Sequence, residues 1–339
     1  MRAIWITRHG GPEVLEVREA PDPEPGHGEV RVRVRAAGLN FAEVMARQGL
    51  YPGAPKPPCV VGYEAAGVID AVGPGVTDRT VGDRVAALTR FGAHADTVCA
   101  PARNTFRLPD AMGFEEAAAI PVTYLTAYHM LFRVGHLAPG ESVLIHMAAG
   151  GVGIAAIQLC RTVPGVRILG TASAGKHGYL REIGCDEPID YHTVDYAAEV
   201  RRLTGGEGVD LVLDPLGGND WRKGYRLLKP VGRLIAFGFS NAITGQRRNL
   251  LKLMWQGLRV PLFTPIGLMK SNRTLAGVDM GQMWHMIDML TGEMNAVLEH
   301  WQRGEIRAKV DAVIPFDRVA EAHGRIEGRQ NVGKIVLVP

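Results

Sequence analysis

The chain has 339 residues, of which 46% are hydrophobic and 22% charged, proportions typical of a globular protein large enough for two domains. The formal net charge of +3 gives no indication of a nucleic-acid partner, and no apolar run approaches the roughly 20 residues of a membrane-spanning helix. The four cysteines stand far apart in sequence, at Cys59, Cys99, Cys160 and Cys185. This spacing disfavours a disulfide framework or a zinc lobe and predicts reduced thiols in a cytoplasmic protein.

The predicted elements change in character along the chain. Residues 1 to about 120 are rich in glycine and proline and contain short alternating runs, as at 29–35 and 66–72, which predict antiparallel strands. From Val143 onward, short apolar strands alternate with helices and predict an α/β, doubly wound parallel sheet. Its six predicted strands are 143–146, 167–172, 188–191, 209–214, 233–237 and 274–279. A β-rich tail at 308–316 and 333–339 is predicted to return to the first domain, giving domains of 1–123 with 281–339, and 124–280.

A glycine-rich turn follows the first strand of this sheet. Ala148, Gly150 and Gly153 have the spacing [G/A]-x-G-x-x-G, which allows a tight turn, close approach to a pyrophosphate and contact between helix and strand. A helix predicted to begin near Val152 would direct its first N–H groups at the phosphates. His146, at the base of the turn, is expected to be a packed side chain. The motif predicts a dinucleotide site.

The end of the second strand indicates which dinucleotide. NAD enzymes place a carboxylate there for the ribose hydroxyls, whereas this chain has Ser173 and Lys176. A hydroxyl and a cation suit the additional 2′-phosphate of NADPH. Tyr191, after the third strand, could add another hydroxyl. The alternative is that Lys176 is a solvated residue at a helix start.

The expected metal ligands are missing. Two-domain dehydrogenases of this layout often hold zinc through Cys and His, but the places where ligands are expected carry Asn40 and Tyr63. Cys59 and Glu64 remain nearby, and two possible ligands do not make a zinc site. We therefore expect no metal.

Several runs carry a resemblance to a known family. Taken together, they resemble the zinc-independent quinone oxidoreductase branch of the medium-chain dehydrogenase/reductase superfamily, and within it the vesicle amine transport protein group. The runs are 38–51, 81–85, 146–153, 171–177, 188–196, 214–218 and 331–334. The resemblance extends along essentially the whole chain and implies a GroES-like β-rich domain, a Rossmann domain, a homodimer and an active site between the domains.

The resemblance also implies which residues bind NADPH. The pyrophosphate residues would be Ala149, Gly150, Gly151, Val152 and Gly153, and the adenosine phosphate residues Ser173, Lys176 and Tyr191. The track from adenine to nicotinamide would be lined by Gly218, Phe237, Gly238, Phe239, Ser240, Val278 and Asp279, with Thr126 and Asn331 at the nicotinamide end.

Asn40 and Tyr51 match the positions that face the reacting ring. With no metal, they are the candidate hydrogen-bond donors to a carbonyl oxygen, and Tyr51 could also donate the proton. The alternatives are that Tyr51 begins the turn before Pro52, and that Asn40 is a loop residue bonded to backbone. Met45 stands where related quinone reductases often have a second tyrosine, which predicts a more apolar pocket and an apolar electron acceptor.

Three functions follow from these expectations. The leading one is NADPH-dependent reduction of a quinone or another activated carbonyl compound. The second is reduction of an α,β-unsaturated thioester or ketone, as in an enoyl reductase. The third is a lipid- or quinone-binding protein with vestigial activity, suggested by the apolar, Met-rich segment 249–269. A helix packed in the core or at a dimer interface is the structural alternative for that segment.

Overall fold

The computed structural model describes residues 1–243, 245 and 249–339. These residues form two compact units. The first contains Met1–Leu125, Gly245 and Gly281–Pro339, and the second contains 126–243 and Asn249–Met280.

Sixteen strands are present among the described residues. In chain order they are β1 (Arg2–Ile6), β2 (Leu15–Glu19), β3 (Glu29–Leu39), β4 (Cys59–Val60), β5 (Glu64–Val72), β6 (Arg84–Leu88), β7 (Thr97–Pro101), β8 (Thr105–Arg107), β9 (Ser142–Ile145), β10 (Arg167–Thr171), β11 (Glu187–Ile189), β12 (Val209–Asp214), β13 (Leu228–Ala236), β14 (Thr274–Gly277), β15 (Val310–Pro315) and β16 (Lys334–Val338).

The same part of the chain forms eleven α-helices. They are α1 (Phe41–Arg47), α2 (Phe114–Ala119), α3 (Pro121–Tyr128), α4 (Gly151–Arg161), α5 (His177–Glu182), α6 (Tyr196–Leu203), α7 (Asn219–Arg226), α8 (Leu250–Leu258), α9 (Pro265–Ser271), α10 (Ile287–Gln302) and α11 (Val319–Glu327).

Strand β3 organises the first unit. It belongs to a sheet of order β15-β16-β3-β5-β6-β8, and β7 also pairs with it. Val30, Val32 and Val34 are buried on one face of β3. On the opposite face Arg31 and Arg33 donate to Asp70 on β5. The alternation of valine and arginine is thus that of a strand with one apolar and one ion-paired face.

The last strand of the chain lies next to β3. β16 pairs with β3 in antiparallel register, with Ile335 opposite Leu39 and Val336 opposite Gly38. β16 also pairs in parallel with β15. One step beyond the pair Ile335 and Leu39, this register brings Lys334 to Asn40, the residue before α1.

The second unit contains a six-stranded parallel sheet of order β11-β10-β9-β12-β13-β14. This is the strand order of a Rossmann domain and confirms the predicted doubly wound α/β class. Val143, Leu144 and Ile145 are almost completely buried, as expected of a strand covered on both faces. β13 starts five residues before the predicted strand, because Leu228 pairs with Val209 ahead of a register irregularity.

The Met-rich segment is not a core helix. It forms α8 and α9, neither of which contains a buried residue. Leu251, Leu258, Leu262 and Met269 are 75–89% exposed. Of the two structural alternatives for this segment, packing in the core is therefore wrong, and a dimer interface stays a prediction. Its apolar side chains face outward, next in sequence to the edge strand β14. No helix within the described ranges is long and apolar enough to cross a bilayer.

Candidate active site

The glycine-rich turn joins β9 to α4. Gly150 is the N-cap of α4, and the first helical hydrogen bond runs from Ile154 N to Gly150 O at 2.9 Å. The N–H groups of residues 151–153 therefore precede the helical ladder and point out of the helix end, where an anion can accept from them. Ala148 N donates to Thr171 O at 3.0 Å and holds the turn against β10. All five predicted pyrophosphate residues lie in this segment.

Gly153 stands where the helix touches the turn. A Cβ at this position would lie 2.5 Å from the carbonyl oxygens of both Met147 and Ala148, so any side chain would push α4 away from the turn. Met147 has φ +53°, a left-handed conformation that non-glycine residues rarely adopt. Such strain is often found in ligand-binding turns. The cradle fits a pyrophosphate.

The segment after β10 is basic and has no carboxylate between residues 172 and 178. Ser173 precedes a short 3₁₀ turn, Ala174–Lys176, and Lys176 N donates to Ser173 O at 2.9 Å. The Ser173 and Lys176 side chains are half-buried. Tyr191 is exposed, and its ring lies 4.3 Å from that of His192, centroid to centroid. These groups suit an additional phosphate.

The predicted track residues follow the carboxyl ends of β12, β13 and β14, the edge of the sheet that also carries the glycine turn. Gly218 is the N-cap of α7, Ser240 N donates to Pro215 O at 2.9 Å, and Phe239 stacks on Trp221. Gly238 and Phe237 follow β13, while Val278 and Asp279 follow β14.

The two residues predicted at the nicotinamide end lie in different units. Thr126 is buried in α3, in the second unit. Asn331 belongs to the first unit, where its amide donates to Gly333 O at 2.7 Å.

Two buried polar side chains, His146 and Asp214, lie where β9 and β12 end, and only the packing of His146 was predicted. His146 is 1% exposed, its Nδ1 lies 3.1 Å from Thr171 Oγ1, and its ring contacts that of Tyr196 edge-on. The prediction of a packed histidine is confirmed. Burial lowers the pKa of His146 and raises the pKa of Asp214. Asp214 accepts hydrogen bonds from Leu216 N and Gly217 N. The only signal in the sequence for His146 and Asp214 was that each is a polar residue at the end of a strand, and the two strands are adjacent in the parallel sheet.

The first unit contains a second polar cluster, built around Asn40 at the start of α1. Glu64 accepts from Lys334 Nζ at 2.5 Å and from Asn40 Nδ2 at 3.0 Å through one oxygen, and from Val122 N at 2.7 Å through the other. Lys334 Nζ also donates to Asn40 Oδ1. Glu43 Oε2 accepts from Asn40 N at 2.8 Å. Glu43 and Glu64 are completely buried, and Lys334 is 4% exposed.

The chemistry of the cluster allows one orientation of the Asn40 amide. An ammonium can only donate, so the atom facing Lys334 must be the amide oxygen. The amide nitrogen then faces Glu64 Oε1 at 3.0 Å and Glu43 Oε1 at 3.3 Å. A reversed amide would place its NH₂ against the ammonium and its oxygen against two carboxyl groups. Both amide hydrogens of Asn40 therefore have acceptors inside the first unit.

Burial shifts the two other titratable groups of this cluster. It raises the pKa of Glu43 to about 7, although the Lys334 ammonium acts in the opposite direction. It lowers the pKa of His94 to about 4, so the ring is neutral at pH 7. His94 Nε2 lies 3.2 Å from Gly38 O and donates to it. Its Nε2 is also 4.0 Å from Glu43 Oε1.

Glu43→Gln is expected to change how stability depends on pH. A glutamate titrates at 4.5 when unshifted and Glu43 at about 7 in the folded chain, so the folded state binds more protons between these values. The free energy of unfolding therefore falls as pH rises from about 4.5 to 7, by up to about 3 kcal/mol from this group. Glutamine removes this dependence. Urea unfolding of both proteins at pH 5 and pH 8 measures it, and parallel curves would contradict the raised pKa.

The cluster does not fit a zinc ion. The two places expected to carry ligands hold Asn40 and Tyr63, and the Lys334 ammonium already joins the oxygens of Asn40 and of Glu64, the neighbour of Tyr63. A second cation there would be repelled by the first. Tyr63 is buried against Tyr51 and Phe91, with ring centroids 5.8 Å and 5.5 Å away. Within the described ranges, no group of three or more His, Cys, Asp or Glu residues could hold a metal.

Tyr51 follows α1 and packs in the aromatic group with Tyr63 and Phe91. Its carbonyl oxygen accepts from Ala54 N at 3.3 Å. Tyr51 thus begins the turn before Pro52, the structural role considered for it, while its ring is partly buried at an aromatic surface. The turn involves the backbone of Tyr51, so it does not determine the role of the phenol.

Comparisons with known proteins agree with this architecture. A family model described as an alcohol dehydrogenase GroES-like domain matches residues 26–127, and one described as a zinc-binding dehydrogenase matches residues 183–337. The human synaptic vesicle membrane protein VAT-1 homolog is 47% identical over 344 residues, covering 100% of this chain and 86% of the relative.

Two solved structures are also similar. Escherichia coli quinone oxidoreductase complexed with NADPH is 30% identical, with a TM-score of 0.88 and 100% of both chains covered. The CurK enoyl reductase is 28% identical, with a TM-score of 0.85, and the match covers 99% of this chain and 98% of that one. The chain therefore belongs to the medium-chain dehydrogenase/reductase superfamily, in the branch of the quinone oxidoreductases and the VAT-1 homologues.

Proposed function

We propose that this protein is an NADPH-dependent, zinc-free reductase that transfers hydride to a quinone or another activated carbonyl compound. The observation that carries the proposal is the basic segment after β10, where Ser173 and Lys176 stand in place of the carboxylate of an NAD enzyme. The glycine turn beside it supplies the N–H groups for a pyrophosphate. When bound, the nicotinamide supplies the hydride. The quinone oxidoreductase with NADPH, which this chain resembles along its whole length, supports the same assignment.

The chain's own residues would bind and orient the reactants. We assign the pyrophosphate to residues 149–153, the 2′-phosphate to Ser173, Lys176 and Tyr191, and the rest of the cofactor to Thr126, Asn331 and the track residues. Tyr51 would donate a hydrogen bond, and then a proton, to the reduced acceptor. Asn40 is the second polar group proposed to face the reacting ring. Because its amide hydrogens already have acceptors, we assign hydrogen-bond donation to Tyr51. A homodimer and a cytoplasmic location stay predictions.

Lys176→Ala is expected to weaken NADPH binding roughly 10- to 100-fold and NADH binding far less, because a charge-assisted contact to the 2′-phosphate contributes about 1.5–3 kcal/mol. Titration of cofactor fluorescence with both nucleotides measures this. Lys223→Ala serves as the control, because it removes a different cation, which lies on α7 beside the Tyr196 ring. An equal loss for NADPH and NADH in the Lys176 variant would show that this lysine does not distinguish the phosphate.

Tyr51→Phe is expected to reduce turnover of an enone more than turnover of a quinone. Proton transfer from a positioned side chain typically contributes 10²- to 10⁴-fold, and a quinone can take its proton from water after hydride transfer more readily than an enone can. Steady-state rates with menadione and with an α,β-unsaturated ketone test this. Phe91→Leu, at the same aromatic group, controls for packing. Identical losses on both substrates would mean that Tyr51 only positions the acceptor.

The enoyl reductase function is the second candidate, because the chain is also similar to the CurK enoyl reductase. NADPH oxidation with menadione but not with an enoyl thioester supports the first proposal, and the reverse pattern supports the second. Turnover with neither substrate, together with tight binding of a lipid or quinone, would instead favour the binding protein. The exposed apolar residues of α8 and α9 give that third outcome its structural basis.

A further inference from the structure

The segment that contains α8 and α9 packs on the second unit through polar and aromatic side chains. Gln256 of α8 faces Gly218, where an added Cβ would lie 2.5 Å from Gln256 Oε1. The Phe263 ring lies 4.9 Å from that of Tyr225 on α7, centroid to centroid. The Tyr225 hydroxyl forms a hydrogen bond of 2.6 Å with Ser271 Oγ at the end of α9. The segment therefore leaves most of its aliphatic side chains on the outside.

The outer side of this segment, which we call the α8–α9 face, is apolar. Its largest side chains are 57–89% exposed, and they belong to Leu251, Trp255, Leu258, Leu262, Ile266 and Met269. A single exposed apolar side chain is ordinary, but a group of this size marks a surface that something else covers. The cover must be apolar where it meets these side chains.

The charge of the segment indicates what covers it. Its charged residues are Lys252, Arg259, Lys270 and Arg273, and the sequence contains no carboxylate between residues 221 and 278. A second copy related by two-fold symmetry would bring the same segment, and thus cations, against these cations. A layer of anionic lipid headgroups instead attracts the cations, and the acyl chains beneath it take up the apolar side chains.

We propose that the α8–α9 face docks this protein onto the surface of a bilayer that contains anionic lipid. The two helices, of 9 and 7 residues, are too short to cross a bilayer and lie along its surface. Their leucines and methionines enter the boundary between headgroups and acyl chains, and the cations lie among the headgroups. The bilayer is here a surface and not a ligand that the protein carries, so docking is tested independently of the proposed function.

Flotation of the full chain with vesicles measures docking. The wild type is expected to bind vesicles of equal parts phosphatidylcholine and phosphatidylglycerol at least about tenfold better than phosphatidylcholine alone, since each cation near an anionic surface contributes about fivefold. Leu251→Glu combined with Leu258→Glu should weaken binding at least about tenfold, because two apolar contacts are lost and two anions are gained. Val81→Glu combined with Val313→Glu adds the same charge at exposed valines of the first unit and should weaken binding far less.

Trp255 reports which surface enters the bilayer. The Arg259 guanidinium lies over its ring, and the chain has five tryptophans, so Trp255→Phe is needed to isolate its signal. Brominated acyl chains are expected to quench the wild type and to quench Trp255→Phe much less. Equal quenching of both proteins would overturn the assignment of this face.

Two flotation results would overturn the proposal: a wild type that does not float with the mixed vesicles, and equal flotation of the variant with Leu251→Glu and Leu258→Glu. Sedimentation without lipid then identifies the other occupant. A wild-type dimer that this variant converts to monomers would assign the α8–α9 face to a second copy. Thermal unfolding of each variant, with the midpoint of the wild type, shows that the substitutions act on the surface and not on the fold.

Discussion

Lys334→Met alone is expected to lower the free energy of unfolding by about 3–5 kcal/mol, the range measured when one member of a buried ion pair is removed. The cause is the Glu64 carboxylate, which is completely buried and would retain only the neutral donors Asn40 Nδ2 and Val122 N. Glu43 has its own hydrogen bonds to Asn40 and supplies no positive charge. The loss should therefore come from an uncompensated charge and not from the missing methylene contacts.

Urea denaturation followed by tryptophan fluorescence measures this loss. Lys56→Met, a substitution of an exposed lysine in the same unit, is the matched control and should change stability by no more than about 0.5 kcal/mol. Adding Glu64→Gln to Lys334→Met should restore most of the loss. A decrease below about 1 kcal/mol in the single variant would mean that Glu64 is not held as a buried anion by this lysine.

Gly153→Ala is expected to weaken NADPH binding by about 1–3 kcal/mol, the usual cost of forcing an extra methyl group into a packed site. The new Cβ would lie 2.5 Å from two backbone carbonyl oxygens, those of Met147 and Ala148. Backbone atoms cannot turn aside as a side chain can, so α4 or the turn must move. The N–H groups of residues 151–153 would then miss the pyrophosphate.

Isothermal titration with NADPH measures the change, and the thermal midpoint of unfolding shows whether the fold survives. Gly178→Ala provides the control, because a Cβ there would have no atom within 4 Å and α5 should tolerate alanine well. NADPH binding to Gly153→Ala with the affinity of the wild type would contradict this prediction, because either the turn would adjust without cost or the phosphate groups would be bound elsewhere.

The strand–turn–helix segment of the second unit could be predicted because its signals are local. The turn from Ala148 to Gly153 lies within one strand–turn–helix segment, and the absence of a carboxylate near Ser173 and Lys176 can be seen within a few residues. Helix α4 begins at Gly151, one residue from the predicted start near Val152. Such features depend on backbone geometry between neighbours in sequence, which amino-acid type constrains directly.

The cluster around Asn40 could not be predicted, because it depends on strand register. Lys334 is 294 residues from Asn40 and 270 from Glu64, and they meet because β16 pairs with β3 as it does. The sequence offered one signal: a lysine that begins an apolar strand, with two glutamates in apolar surroundings at Glu43 and Glu64. The Met-rich segment 249–269 has a clear local pattern, yet its packing was not predicted from that pattern. Its helical pattern is real, but periodicity does not show whether an apolar face is covered.

The position of β16 has a consequence for the order in which this protein can fold during synthesis. The second unit is made of residues close in sequence, so it can form as soon as they leave the ribosome. The first unit cannot be completed until β16 emerges to take its place between β15 and β3. At about 5–20 residues per second, the 294 residues between Asn40 and Lys334 take about 15–60 s. During that interval Glu64 of the nascent first unit lacks the lysine that forms its ion pair, and only β16 supplies that lysine.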